Sequence, residues 1–134
     1  LNNDYNLTEW KELIKNELLD ATKIRLNSDV PIGLFLSGGI DSGLVAAAVS
    51  KLGFKDLNVH TVRFKDSDKD ESNLAKKTAK HLGLKLKIHD IDQITLSDIK
   101  SSIQHFDQPF ADPSLIVTDL ICRKTFQNST TCSM

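Results

Sequence analysis

Apolar residues recur along this chain with two different periods, and the switches between them divide it into elements. In TEWKELIKNELLDATKIRLN, residues 8–27, Trp10, Leu13, Ile14, Leu18, Ala21 and Ile24 fall at helical spacing. That spacing predicts an amphipathic helix leading into the core, with Thr8 as its N-cap. Residues 30–36 are nearly all apolar, as in a strand covered on both faces within a parallel sheet, and Pro31 stands near the start, where a missing N–H is tolerated. From Ser42, SGLVAAAVSKLG is alanine-rich and stops at Gly53, which predicts a helix of about three turns with glycine just past its end. LNVHTVRF, residues 57–64, alternates with β-branched side chains and reads as a second strand, followed by the polar loop KDSDKD.

The same unit then repeats. ESNLAKKTAKHLG sets Leu74, Ala75, Thr78, Ala79 and Leu82 on one stripe and ends at Gly83, after which LKLKIHDI, residues 84–91, alternates as a third strand. TLSDIKSSIQHF and SLIVTDLICRKTF, residues 95–106 and 114–126, read as helices on either side of DQPFADP, whose prolines interrupt both. QNSTTCSM, residues 127–134, carries no pattern and is expected to be a disordered or truncated tail, so the folded unit is expected to span residues 1–126. Strand–helix alternation favours right-handed crossovers and an α/β, doubly wound parallel sheet.

Composition changes this picture little. With 134 residues, 40% of them hydrophobic, the chain suits one small domain or part of a larger one. The 17 Lys and Arg against 18 Asp and Glu, without a basic cluster, give no footprint for nucleic acid or an anionic membrane. No apolar run reaches the length of a membrane span, and the first residues lack the regions of a signal peptide, so a cytoplasmic location is expected. Cys122 and Cys132 form no CxxC pair, and His60, His81, His89 and His105 are scattered, so no zinc set is expected.

The chemistry concentrates in LSGGIDS, residues 36–42, at the end of the first core strand, where open α/β sheets bind their ligands. Gly38 and Gly39 permit a sharp turn that aims backbone N–H groups at an anion. Ser37 and Ser42 add hydroxyls, and the following helix adds its positive end. Asp41 would repel phosphate unless a magnesium ion, held by few protein carboxylates and completed by phosphate oxygens and water, reversed the sign. The same letters also suit a tight turn with Asp41 or Ser42 as a helix cap. Neither GxxxxGK[ST] nor GxGxxG is present, which disfavours kinase-like transfer of a terminal phosphate.

SGGIDS resembles the pyrophosphate-binding loop of the ATP pyrophosphatase (PP-loop) superfamily. The wider DVPIGLFLSGGIDSGLVAA, with DES at 70–72 and DQPFADPS at 107–114, resembles the synthetase domain of glutamine-hydrolysing asparagine synthetases from about residue 8 to about residue 126. The resemblance implies a Rossmann-like fold of the adenine nucleotide alpha hydrolase type, with strands in the order 3-2-1 and further strands added beside residues 30–36. In this chain that side is expected to be a free edge, prone to association, and the sheet incomplete.

The resemblance also assigns roles. Ser37, Gly38, Gly39, Asp41 and Ser42 match the pyrophosphate loop, and Asp41 matches a catalytic magnesium ligand. Leu36 and Val62 match positions that contact the adenosine portion, although either would serve as core. Asp107 and Asp112 are candidates for a substrate-facing loop. Asp70 and Glu71 fall in a matching motif that helix N-terminal charge complementarity would also explain. Gln108 departs from the glutamate common in the family.

The implied reaction uses ATP, Mg²⁺ and aspartate and forms β-aspartyl-AMP with release of pyrophosphate. Ammonia then displaces AMP to give asparagine. Ammonia from glutamine would require a separate glutaminase domain, since this chain has no N-terminal cysteine, and a homodimer is compatible with the family. The family's second acidic motif, similar to SGDGADE, is not found before Met134, so the chain is expected to be a fragment without activity of its own. Alternatives on the same loop are a β-lactam synthetase, a sugar-modifying amidotransferase, or a nucleotide-binding module without catalysis. DSDKDE lacks the glycine and final glutamate of a calcium loop. Ser42 with His60 or His81 lacks the G-x-S-x-G context of a hydrolase.

Overall fold

A computed structural model describes residues 5–65, 70–107, 112, 114–126 and 132–133. In chain order the elements are α1 (Leu7–Arg25), β1 (Ile32–Phe35), α2 (Ile40–Lys51), β2 (Asn58–Phe64), α3 (Ser72–Leu82), β3 (Leu86–Ile91), α4 (Leu96–Phe106), α5 (Ser114–Phe126) and β4 (Cys132–Ser133). The sheet order is β3-β2-β1-β4 and every pairing is parallel. The α/β class and the 3-2-1 order are as expected.

The edge and the tail differ from expectation. Cys132 and Ser133 pair with Ile32 and Gly33, so β1 carries a neighbour on the side expected to be free, and this part of residues 127–134 is strand. An apolar strand presents unpaired N–H and C=O groups at its edge, and even a two-residue partner satisfies some of them.

Register divides the sheet into two faces. Leu34 lies opposite Val59, and Val59 opposite Leu86, on the face that packs against Ala46 and Val49 of α2 and Ala75 and Ala79 of α3. The alanines let both helices approach closely, and burial of Leu34, Val49 and Val59 contributes about 1.5–3 kcal/mol each. The other face presents Phe35, His60 and Val62 toward Val117 and Ile121 of α5. Helices thus cover both faces, the doubly wound arrangement.

Helix ends follow local chemistry. Gly53 and Gly83 take the positive φ angles of 89° and 68° expected of glycines that close helices. The N-cap of α1 is Asn6, not Thr8: Asn6 Oδ1 accepts from the N–H groups of Thr8 and Glu9, and Glu9 accepts from the Asn6 N–H, a capping box that leaves Thr8 inside the first turn.

The stripe of α1 is less buried than its period suggests. Leu18 and Ala21 are half-buried and Thr22 and the following Leu26 are buried, but Ile14 and Ile24 are 60% and 73% exposed. Leu74 of α3 is likewise exposed. β1 begins at Ile32 and α2 at Ile40, against expected starts at residue 30 and Ser42. β3 starts two residues later than expected.

Ser102 of α4 donates to Asp119 Oδ2 of α5 at 2.7 Å, and Arg123 donates to the same oxygen at 2.5 Å. This buried clasp fixes the two helices that flank residues 107–113.

Candidate nucleotide site

At the end of β1 the Leu36 N–H donates to the His60 carbonyl at 2.8 Å, which extends the β1–β2 ladder by one bond before the chain turns away. Two serines then tie the turn. Ser42 Oγ accepts from the Ser37 N–H at 3.2 Å, lies 2.9 Å from Ser37 Oγ and donates to the Gly39 carbonyl at 3.3 Å, while Ser37 Oγ accepts from the Gly39 N–H at 3.1 Å. Gly39 is the N-cap of α2 and offers no side-chain cap, so the positive end of the helix opens at the loop. Asp41 lies in the first turn of α2 and is exposed. The structure therefore brings Ser37, Gly38, Gly39, Asp41 and Ser42 together at one helix mouth.

The loop glycines do not use the left-handed region of the backbone. Neither takes a positive φ; Gly39 is extended at φ −77° and ψ 159°. At Gly38 the reason is contact: a Cβ there would lie 2.9 Å from Glu71 Cβ and 3.1 Å from Leu74 Cβ and Cδ1. The start of α3 is thus packed directly on the loop, and the Gly38 N–H donates to Glu71 Oε2 at 3.1 Å. The sequence offered a family motif and helix N-terminal charge as reasons for Glu71, and neither names Gly38 as its partner. Asp70 does fill that role, accepting from Ser72 N–H and hydroxyl at 3.1 and 2.9 Å.

Leu36 and Val62 line a cavity of about 210 Å³ beside the loop, with Phe35, Ser37, His60, Thr61 and, from α5, Val117, Thr118 and Ile121. Leu36 is 1% exposed and belongs to the core as well as lining the cavity. The cavity is below the roughly 300–1,000 Å³ of sites that enclose a whole drug-sized ligand, and suits one part of a nucleotide.

His60, fully buried beneath the cavity, bonds through Nδ1 to His89 Nε2 at 2.9 Å, with the rings stacked at 5.2 Å. Burial, then the neighbouring His89 and Lys87, push the His60 pKa down to about 4. Burial, then Lys124 and Lys87, lower that of His89. No spacing rule pairs histidines 29 residues apart; only the β2–β3 register does.

The expected substrate loop lies mostly outside the described residues. Asp107 closes α4 in the left-handed region at φ 54° and is exposed. Asp112 accepts from the Ser114 N–H at 2.9 Å, and bonds from the Ser114 backbone and then its hydroxyl hold its carboxyl below the usual range. Asp112 therefore acts as a cap for α5 here. Residues 66–69 of the acidic loop, Gln108 and Phe110 are not among the described residues.

The chain is a parallel α/β domain with a loop at the mouth of a helix, at the end of a central strand, and a cavity alongside, the place where open α/β sheets bind ligands. The asparagine synthase family model matches residues 13–134, and the chain belongs to that family. It is 31% identical over 131 residues to asparagine synthetase [glutamine-hydrolyzing] 1 of Bacillus subtilis, covering 92% of this chain and 20% of that protein. It is 38% identical over 114 residues to amidase chyE of Penicillium rubens, covering 74% and 17%. The glutamine-dependent NAD+ synthetase of Acinetobacter baumannii, solved with ADP, superposes with a TM-score of 0.63 at 23% identity over 98% of this chain and 26% of that one, which shows the shared adenine nucleotide alpha hydrolase-like fold. The chain spans about one fifth of the curated relatives it matches. Among the described residues no helix is long and apolar enough to cross a membrane.

Proposed function

We propose that this chain is the ATP-binding part of an enzyme that adenylates a carboxylate and converts it to an amide, with aspartate as the acid. The observation that carries the reading is the loop: residues 37–39 lead into the uncapped mouth of α2 beside a cavity lined by Leu36, Ser37 and Val62, and their N–H groups are held by side-chain oxygens of Ser42, Glu71 and Ser37 that a phosphate oxygen can replace. The pyrophosphate of ATP would lie on the loop and the adenosine portion in the cavity. Ser37 and Ser42 hold each other and the Ser37 and Gly39 N–H groups, so the loop keeps its shape before charge develops on the leaving group, and a phosphate oxygen would take over those N–H groups from the hydroxyls. The aspartate side-chain carboxylate attacks the α-phosphate, pyrophosphate leaves, and ammonia displaces AMP from β-aspartyl-AMP.

Among the described residues no three His, Cys, Asp or Glu side chains gather to hold a metal. Asp41 offers one exposed carboxylate, which fits a magnesium ion that takes most of its ligands from phosphate and water. Mg²⁺ bound there supplies charge neutralisation for the leaving pyrophosphate. The ADP in the Acinetobacter baumannii structure supports a nucleotide on this fold. The same reading takes ammonia from glutamine through a glutaminase domain, allows a homodimer and sets the reaction in the cytoplasm.

The comparable identity to a fungal amidase supports a second reading, in which another acid takes the place of aspartate. Pyrophosphate release decides between them. The protein that contains this chain, given ATP and Mg²⁺, should release pyrophosphate with aspartate and lose that release on Gly39→Val. Release with another acid and not with aspartate would establish the second reading, and release with none would refute both.

A further inference from the structure

We propose that Glu71 makes the loop selective for metal-complexed over free pyrophosphate, an inference that rests on the phosphate reading of the loop. The Gly38 N–H, in the loop that leads into the mouth of α2, is held by the Glu71 carboxylate at 3.1 Å. A carboxylate oxygen on a backbone N–H occupies the place that a phosphate oxygen would take, so a polyphosphate engages Gly38 only when Glu71 hands the donor over.

The backbone of Glu71 cannot withdraw to allow this. Its carbonyl accepts from Leu74 and Ala75 in the first turn of α3 at 3.0 and 3.1 Å, and the 2.9 Å approach to the position of a Gly38 Cβ shows the helix start seated on the loop. The side chain is exposed and free to rotate, so the exchange is a side-chain movement. After it, a negative charge remains tethered beside the bound anion, in addition to Asp41 in the first turn of α2. A bare polyphosphate meets both carboxylates. One that arrives with Mg²⁺ presents a cation to them, and the repulsion becomes attraction.

The test is calorimetric titration of inorganic pyrophosphate into the protein that contains this chain, as parent, Glu71→Gln and Glu71→Ala, in EDTA and in Mg²⁺. Glu71→Gln keeps the acceptor and removes the charge; Glu71→Ala removes both. In EDTA both variants should bind pyrophosphate about three- to tenfold tighter than the parent, the size of one surface charge repulsion at short range. In Mg²⁺ that gain should shrink or reverse. Amide exchange at Gly38 should also quicken in Glu71→Ala.

No gain in EDTA, or the same gain in both conditions, would overturn the selectivity role and leave Glu71 as a support for the loop. A folded parent that binds pyrophosphate in neither condition would instead refute the phosphate site itself.

Discussion

Acidification should unfold this domain through His60. The ring is fully buried between the sheet and α5, beside His89 and near Lys87, and its pKa is pushed down to about 4 from an ordinary value of 6.5. In the unfolded chain it titrates normally. Between about pH 6.5 and pH 4 the unfolded state therefore binds a proton that the folded state refuses, and stability falls as pH falls through that window. At about 1.4 kcal/mol per pH unit the loss from this one group is at most about 3 kcal/mol, a large share of what a small domain has. Urea unfolding at pH 7, 6, 5 and 4, compared between the parent and His60→Gln, isolates it. The variant starts less stable because it gives up the bond to His89, so the slope with pH is the readout. Carboxylates of lowered pKa, such as Asp112, contribute to both curves alike and mostly below pH 5. The parent should lose about 2–3 kcal/mol more than His60→Gln across the window. Equal losses in the two proteins would refute the assignment.

Two further outcomes follow from the loop. Gly38→Ala should destabilise the domain by about 1–3 kcal/mol, because its Cβ would overlap Glu71 and Leu74, whereas Gly43→Ala in α2, whose Cβ would meet only Thr78 Cγ2 at 4.0 Å, should stabilise it by up to about 1 kcal/mol; thermal melts of the two variants check the opposite signs. Asp41→Asn should weaken ATP binding in Mg²⁺ and leave it unchanged or tighter in EDTA, and calorimetry showing an equal loss in both would mean that Asp41 shapes the loop instead of meeting a metal.

The parts of this structure that were legible in the sequence are those decided within a few residues. Gly53 and Gly83 announced helix ends because a positive φ is a local demand. Strand and helix periods gave the α/β alternation for the same reason. The period of α1 also marked a face, but it carries no information on what covers that face, and so Ile14 and Ile24, correctly placed on the stripe, turned out exposed. Thr8 has the chemistry of a cap, but Asn6, two residues earlier, starts the helix first, accepting from the Thr8 and Glu9 N–H groups in a capping box with Glu9.

The loop glycines show the other limit. They were found by motif in the right place, with a reason, conformational freedom, that the backbone angles do not use. Their actual constraint at Gly38 comes from an element 33 residues away. That contact still follows from premises the sequence held. If β1 and β2 are parallel neighbours joined by right-handed crossovers, the loops that leave their carboxyl ends must lie side by side on one edge of the sheet. The first of those loops carries the glycines and the second leads into α3, whose N-cap is Glu71. A carboxylate at the start of the second helix is thereby delivered to the donors of the first, and the spacing between them along the chain is only the length of one helix, one strand and their turns.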